Sequence, residues 1–176
     1  MTENTQPILH SIAYPSFLSD VQAVAAAVAD SAWQPDFVVG VGRGGLVPAV
    51  YMSHRIGLPM LSIDHSAKVP GFADELLGKV AEKSRSGVRL LFVDDINDSG
   101  STIDYIRRLL ADHGGDPANL RFAVLLDNVR SLARVDYRAR MIDRAEDKRW
   151  FVFPWEQLSD VAAIVEEAES VPHRLA

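Results

Sequence analysis

A chain of 176 residues is long enough for one compact domain and short for two. Its 48% hydrophobic content and mean hydropathy near zero describe a soluble globular protein, and a formal charge of −6 argues against the basic footprint that binding to nucleic acid or an acidic membrane surface requires. Cysteine is absent, which excludes disulfide and thiol chemistry; with no signal pattern and no apolar run of about 18 residues, the expected compartment is the cytoplasm.

Residues 1–6 are polar, and Ile8 to Tyr14 is read as a short strand ending at Pro15. Ser16 or Ser19 is the expected cap of a first helix, whose apolar positions Leu18, Val21, Ala25, Val28 and Ala32 keep helical spacing. Asp36 to Val41 is an apolar strand that runs into Gly42-Arg43-Gly44-Gly45, after which Leu46-Val47-Pro48 opens a helix with proline in its first turn. Glycines at a strand-to-helix turn let backbone approach an anion, and Arg43 adds a cationic fork aimed at phosphate oxygens. As a motif on its own this is equally a tight turn. Pro59 to His65 reads as a third strand. From 66 to 87 the chain is charged, with Pro70-Gly71 and Gly78 as breakers, and a segment of about twenty residues with little apolar pattern reads as a functional lid, a disordered loop or a solvated hairpin.

The most informative stretch follows. Leu90-Leu91-Phe92-Val93 is apolar without alternation, as in a strand buried on both faces, and Ile103, Ile106, Leu109 and Leu110 mark an amphipathic helix. Between them lie Asp94, Asp95, Ile96, Asn97, Asp98, Ser99, Gly100, Ser101 and Thr102, at the kind of turn where open α/β sheets place ligands. Ser99 to Thr102 offer hydroxyls and unpaired N–H groups at a helix N-terminus, suited to a phosphate dianion. Asp94 and Asp95 can accept hydrogen bonds from vicinal ribose hydroxyls or stand beside a magnesium ion brought by a pyrophosphate. Asp98 lies nearer the phosphate, placed to act on a base.

Leu120 to Leu126 is the next strand, and Val135 to Ile142 a charged edge strand. Arg130, Arg134, Arg138, Arg140, Arg144, Lys148 and Arg149 make a basic region, read as a solvated face paired with Asp136, Asp143, Glu146 and Asp147. Trp150 to Glu156 is aromatic and turn-forming, and a last helix turns Leu158, Val161, Ala162 and Val165 inward.

The run from Leu90 to Thr102 resembles the phosphoribosyl-pyrophosphate (PRPP) loop of type I phosphoribosyltransferases: apolar strand, Asp-Asp, two residues, Asp-Thr-Gly-x-Thr, with Ser99 here in place of the first Thr. The resemblance implies an α/β fold with an open, mostly parallel sheet flanked by helices, and a small hood formed by the terminal segments. It implies one domain, with a core over about 17–142, a lid over about 66–87 and a hood from about 1–16 and 143–176. In purine members of the family a Ser-Arg-Gly-Gly-Leu-Val-Pro stretch binds pyrophosphate, which assigns that role to Arg43, Gly44 and Gly45, with Gly42 lacking the serine hydroxyl. Bacterial xanthine-guanine phosphoribosyltransferases carry Trp-x-x-x-Pro-Trp; Trp150 and Trp155 reproduce it, which implies base stacking on Trp150 and backbone reading of the purine edge at Phe151. Those enzymes bond the 6-oxo group with a lysine whose position falls here at Asp127, a carboxylate of opposite hydrogen-bonding capacity, so either another group takes the role or the base differs.

The implied activity is transfer of phosphoribose from PRPP to a free 6-oxopurine (guanine, hypoxanthine or xanthine), with Mg2+ as cofactor. PRPP and a purine base are the expected partners, with no nucleic acid or membrane, in a homodimer or higher homo-oligomer. Asp94 and Asp95 would face the ribose and the metal, the latter through PRPP and water. Ser99, Gly100, Ser101 and Thr102, with Asp98, would hold the 5′-phosphate, and Asp98 would be the proton acceptor. A PRPP-binding regulator of the same fold, or a transferase for another base, is the alternative. A receiver-like phosphoacceptor domain fits poorly, since Ser99 to Thr102 would have no role there.

Overall fold

Two separate apolar layers form because successive side chains of the central strands point to opposite faces. The computed structural model describes residues 6–64 and 72–171. In chain order its elements are β1 (Leu9–Ser11), α1 (Tyr14–Ala29), β2 (Phe37–Val41), α2 (Gly42–Ile56), β3 (Met60–Ile63), α3 (Phe72–Arg85) and β4 (Leu90–Asn97). Then follow α4 (Ser101–Asp112), a single 3-10 turn (Pro117–Asn119), β5 (Leu120–Asn128), β6 (Tyr137–Ile142), β7 (Trp150–Val152) and α5 (Val161–Glu169). No helix among the described residues is long and apolar enough to cross a membrane.

Five strands pair in the order β3-β2-β4-β5-β6, every neighbour parallel. Leu91, Val93, Ala123 and Leu125 pack against Phe17, Val21 and Val24 of α1 and Ala49 and Met52 of α2. Leu90, Phe92, Phe122 and Val124 turn the other way, onto Leu77, Val80 and Ala81 of α3 and Ile103, Ile106 and Leu110 of α4. Each such leucine, isoleucine or phenylalanine contributes about 2 kcal/mol by leaving water, so the helices are held to both faces.

This strand order fixes where a ligand can sit. β2 crosses to β3 on one side and β4 crosses to β5 on the other, so the turns after β2 and β4 diverge and leave a crevice at the carboxyl ends of the two strands. Gly42–Gly44 and Asp94–Thr102 border it.

Several expected boundaries move. The first helix begins at Tyr14 rather than after Pro15, with Ala13 before it and no side-chain cap from Ser16 or Ser19, because proline is accepted in a first turn that needs no N–H from it. It ends at Ala29, leaving Ala32 exposed outside it. Gly42 to Gly45 is itself the first turn of α2, so Pro48 lies inside the helix and not at its start. The segment expected as a lid is largely α3, whose Leu77, Val80 and Ala81 are buried against the sheet. Its apolar stripe is short and interrupted by charged neighbours, which hid the period; the rest of the proposed lid, 66–71, lies outside the described residues. In α5 the inward positions are Ile164 and Ala168, whereas Leu158 and Val161 are 96% and 65% exposed.

β6 is one of the two edge strands, as its charge suggests. The terminal segments meet in a second sheet where β1 and β7 run parallel, Leu9 beside Trp150 and Ser11 beside Val152. Ile12 N–H donates to the Val152 carbonyl at 2.8 Å and Trp150 N–H to the Ile8 carbonyl at 2.8 Å, so the N-terminal strand anchors the aromatic segment beside the crevice.

Candidate active site

Close approach of backbone to backbone builds the floor of the crevice. A Cβ on Gly45 would lie 2.2 Å from the Val93 carbonyl oxygen, and one on Gly100 2.5 Å from the Ala133 nitrogen; only glycine lets α2 start this near β4 and α4 this near the loop after β5. Gly100 also has φ of 92°, in the left-handed region, as it turns the chain into α4. Gly45→Ala is expected to lose about 3 kcal/mol in denaturant unfolding, because fixed backbone and not a flexible side chain opposes the methyl.

The resulting cavity, about 800 Å³, is lined by Arg43, Gly44, Asp94, Asp95, Asp98, Ser99, Gly100, Ser101, Thr102, Trp150 and Phe151 among others. Eleven of the twelve residues singled out in the sequence therefore line one cavity, and Gly45 packs directly behind it against Val93 and Asp94. Its size suits a nucleotide.

Asp94 and Asp95 stand together at the end of β4. Asp94 Oδ1 accepts from the Asp95 N–H at 3.0 Å and Asp95 Oδ1 from the Ile96 N–H at 2.7 Å. Burial pushes Asp94 well above the usual carboxylate range, and the charge of Asp95 adds to it. Burial, then the charge of Glu156, raises Asp95 to about 7. Glu156 is itself raised, first by burial and then by the charge of Glu167, and its Oε2 accepts from the Phe153 N–H at 2.8 Å. Three carboxylates thus share one cavity at the expense of their charged forms, an arrangement that a cation or a ring of hydroxyl donors would relieve. Glu156 was not singled out in the sequence, where it is only the residue after an aromatic pair.

Ser99 Oγ and Ser101 Oγ are 2.9 Å apart at the start of α4, and no side chain caps the helix. Ser99 Oγ also accepts from the Ser101 N–H at 3.3 Å, and Gly100, at the N-cap, has no side chain to cap the N–H groups that follow.

Asp98 differs from the other carboxylates in having a full counter-ion. Arg144 Nε donates to Oδ1 at 2.9 Å and Nη2 to Oδ2 at 2.9 Å, and the Asn128 amide donates to the Asp98 carbonyl at 2.9 Å. Arg144 is thus not part of a solvated face: its side chain is 8% exposed. Elsewhere Arg130 pairs with Asp143 and Arg149 with Asp147, as expected, whereas Arg138 pairs with Asp127 and Arg140 with Asp20, acids outside the expected set. Nothing in the local sequence separates Arg144 from its basic neighbours.

Trp150 lines the cavity, half-buried. Trp155 reaches the same wall but stacks on Phe153 at 4.8 Å and meets Phe17 edge-on, which makes it part of the core. The Phe151 ring lies 4.9 Å beneath the Arg144 guanidinium. Asp127, the position that raised doubt about the base, does not border the cavity: it accepts from Asn97 at 2.8 Å and Arg138 at 2.6 Å and is 7% exposed.

A parallel sheet wound in this order, with acidic strand ends and an anion-suited helix start at its switch point, is the frame of a type I phosphoribosyltransferase. The model of the phosphoribosyl transferase domain matches residues 12–160, and the chain belongs to that family. It is similar to the xanthine-guanine phosphoribosyltransferase of Cereibacter sphaeroides, 29% identical over 132 residues that cover 72% of this chain and 71% of the relative. Its fold is similar to that of a purine phosphoribosyltransferase from Pyrococcus horikoshii (TM-score 0.64, 23% identity, 86% of this chain and 97% of that one). It is likewise similar to the xanthine-guanine-hypoxanthine phosphoribosyltransferase of Helicobacter pylori (TM-score 0.61, 24% identity, 92% and 98%).

Proposed function

We propose that this protein transfers the 5-phosphoribosyl group of PRPP to a free 6-oxopurine, releasing pyrophosphate and a nucleoside 5′-monophosphate in purine salvage. The observation that carries this reading is the gathering of Arg43, the Asp94-Asp95 pair, the Ser99–Thr102 helix start and Trp150 around one cavity. In the reaction the bond from the anomeric carbon to pyrophosphate breaks, a bond to the base nitrogen forms, and the base gives up a proton.

Each demand of that reaction has a group here. Ser99, Gly100, Ser101 and Thr102 hold the 5′-phosphate by backbone N–H groups and hydroxyls at the start of α4. Asp94 and Asp95 accept from the two ribose hydroxyls. Arg43, Gly44 and Gly45 hold pyrophosphate at the start of α2, and Trp150 supports the base. Asp98 accepts the proton, and the cavity walls keep water from the oxocarbenium-like carbon.

Mg2+ fits the hard carboxylate oxygens of Asp94 and Asp95. No group of three or more His, Asp or Glu side chains that could hold a metal exists among the described residues, which favours an ion carried by PRPP and met here through water. When bound, it supplies positive charge to the leaving pyrophosphate. Asp94 and Asp95, whose charged forms burial disfavours, would be held ionised beside it.

Incubation with PRPP, Mg2+ and guanine, hypoxanthine, xanthine, adenine or uracil in turn, following pyrophosphate release, tests the proposal. Release dependent on a 6-oxopurine supports it. Tight PRPP binding with no release for any base favours a PRPP-sensing regulator, and release with another base alone reassigns the substrate.

A further inference from the structure

The cavity is lined by two cations among the described residues, Arg43 and Arg144, and they occupy different parts of it. Arg43 belongs to the first turn of α2 and acts on the charge of Glu156, whereas Arg144 lies beyond β6, against Asp98 and Phe151. Arg144 is fixed from every side. Besides its two bonds to Asp98, Nη1 donates to the carbonyls of Arg149 at 2.6 Å and Asp147 at 3.2 Å, and its backbone N–H donates to Asn128 Oδ1 at 3.3 Å. The carbonyls it holds belong to the turn that leads straight into Trp150. One side chain therefore ties the Asp98 carboxylate to the aromatic platform.

Such a bidentate pair presents a two-part edge. A guanidinium has five N–H groups and four are spent as described, leaving one on Nη2, while each Asp98 oxygen has a second lone pair. An acceptor beside a donor complements a ligand edge that offers a donor beside an acceptor. A 6-oxopurine protonated at N7 has this edge, N7–H next to the C6 carbonyl. A 6-aminopurine sets a second donor against the guanidinium, which has nothing with which to accept.

We propose that the Asp98–Arg144 pair reads the C6/N7 edge of the base, and that Arg144 selects 6-oxopurines over 6-aminopurines. This inference rests on the transferase reading above and names the selecting group within it. It also relieves Asp127 of any part in base choice, since that carboxylate is bound to Arg138 and Asn97 away from the cavity.

The test compares the wild-type protein with Arg144→Met and Arg144→Lys, measuring kcat and KM for guanine, hypoxanthine, xanthine and adenine and, separately, PRPP affinity by equilibrium binding. Loss of a charge-assisted hydrogen bond should raise the 6-oxopurine KM of Arg144→Met on the order of 10- to 100-fold, with PRPP affinity within about twofold and the preference over adenine reduced. Arg144→Lys keeps the charge without the planar fork and should fall between the two. An unchanged 6-oxopurine KM and preference in Arg144→Met overturns the proposal. So does a parallel loss of PRPP affinity and base KM in both variants, which marks a purely structural arginine. Should Arg144→Met not fold, Arg144→Lys decides: weakened preference with PRPP affinity kept supports the reader, and wild-type preference overturns it. A wild-type enzyme that uses adenine best also overturns it while leaving the transferase reading intact. PRPP binding without turnover of any base in the wild type defeats the transferase reading itself.

Discussion

Asp95→Asn is expected to unfold at a higher temperature than the wild-type protein at pH 8 while losing on the order of 100-fold in kcat/KM for PRPP. The two effects share one cause. In the folded chain Asp95 titrates at about 7, raised by burial and the Glu156 charge, whereas in the unfolded chain it returns to the ordinary range near 4. Between those values the folded state binds more protons than the unfolded state, so stability falls as pH rises through that window and the cost is complete above about 7. A shift of this size corresponds to about 4 kcal/mol; solvent at the cavity mouth reduces it, and a gain of about 2 kcal/mol at pH 8 is the expected outcome for the neutral variant. Asn retains an oxygen for the Ile96 N–H, so the local turn survives.

Asp94 and Glu156 are raised in the same direction and add to the decline toward alkaline pH. Asp147 works oppositely: Arg149 lowers it to about 2, so its contribution is present above the unfolded value near 4 and disappears as pH falls through 2. Melting temperature of the free protein should therefore be greatest near pH 4, where the two opposing trends meet, and lower at pH 8, with Asp95→Asn flattening the alkaline limb. A variant no more stable than wild type at pH 8 would remove the electrostatic basis of this site. The same strain predicts that PRPP with Mg2+ binds more tightly as pH rises from 6 to 8, since the ligand requires the charged carboxylates.

Asp98→Ala is expected to cost about 2 to 3 kcal/mol in urea unfolding and to reduce kcat on the order of 10³-fold, with PRPP affinity changed far less. The stability loss comes from Arg144, whose 8% exposed side chain would keep its charge and lose two hydrogen bonds. The value sits below the range for fully buried pairs because the Asp98 side chain is 26% exposed. Asp98→Asn separates structure from chemistry. It retains one acceptor for the guanidinium and should recover most of the stability, yet it cannot take the base proton and should be as slow as Asp98→Ala. Near-normal turnover in Asp98→Asn would make the carboxylate a support for Arg144 alone, and equal losses in kcat and PRPP affinity would place it in phosphate binding.

These two carboxylates were both legible in the sequence, but for different reasons from those that set their behaviour. Their place at a strand-to-helix turn follows from the apolar run of Leu90 to Val93 and the helical spacing of Ile103, Ile106 and Leu110, patterns that chain neighbours determine among themselves. That one is raised by crowding and the other is neutralised by a partner could not be read there. Glu156 reaches Asp95 only because β7 and the turn after it fold back over the crevice. The α3 segment shows the same limit within a single helix: Leu77, Val80 and Ala81 are a weak stripe until the sheet supplies a surface for them.

The sequence by itself determined the buried central strands and the phosphate-suited turn, since each is encoded by periodicity or by turn residues lying within a few positions of one another, while the parallel frame and the aromatic wall were expected from the resemblance to a family. Only the tertiary structure decided which basic residue serves the site and which acidic residue does not. Arg144 finds Asp98 across 46 positions, and Asp127 is withdrawn by Asn97 and Arg138. The pairing of β1 with β7 was decided in the same way, by opposite ends of the chain. A charge has no preferred partner along the chain; it takes the one that folding brings within hydrogen-bond reach where water is excluded, and that choice exists only once the layers have closed.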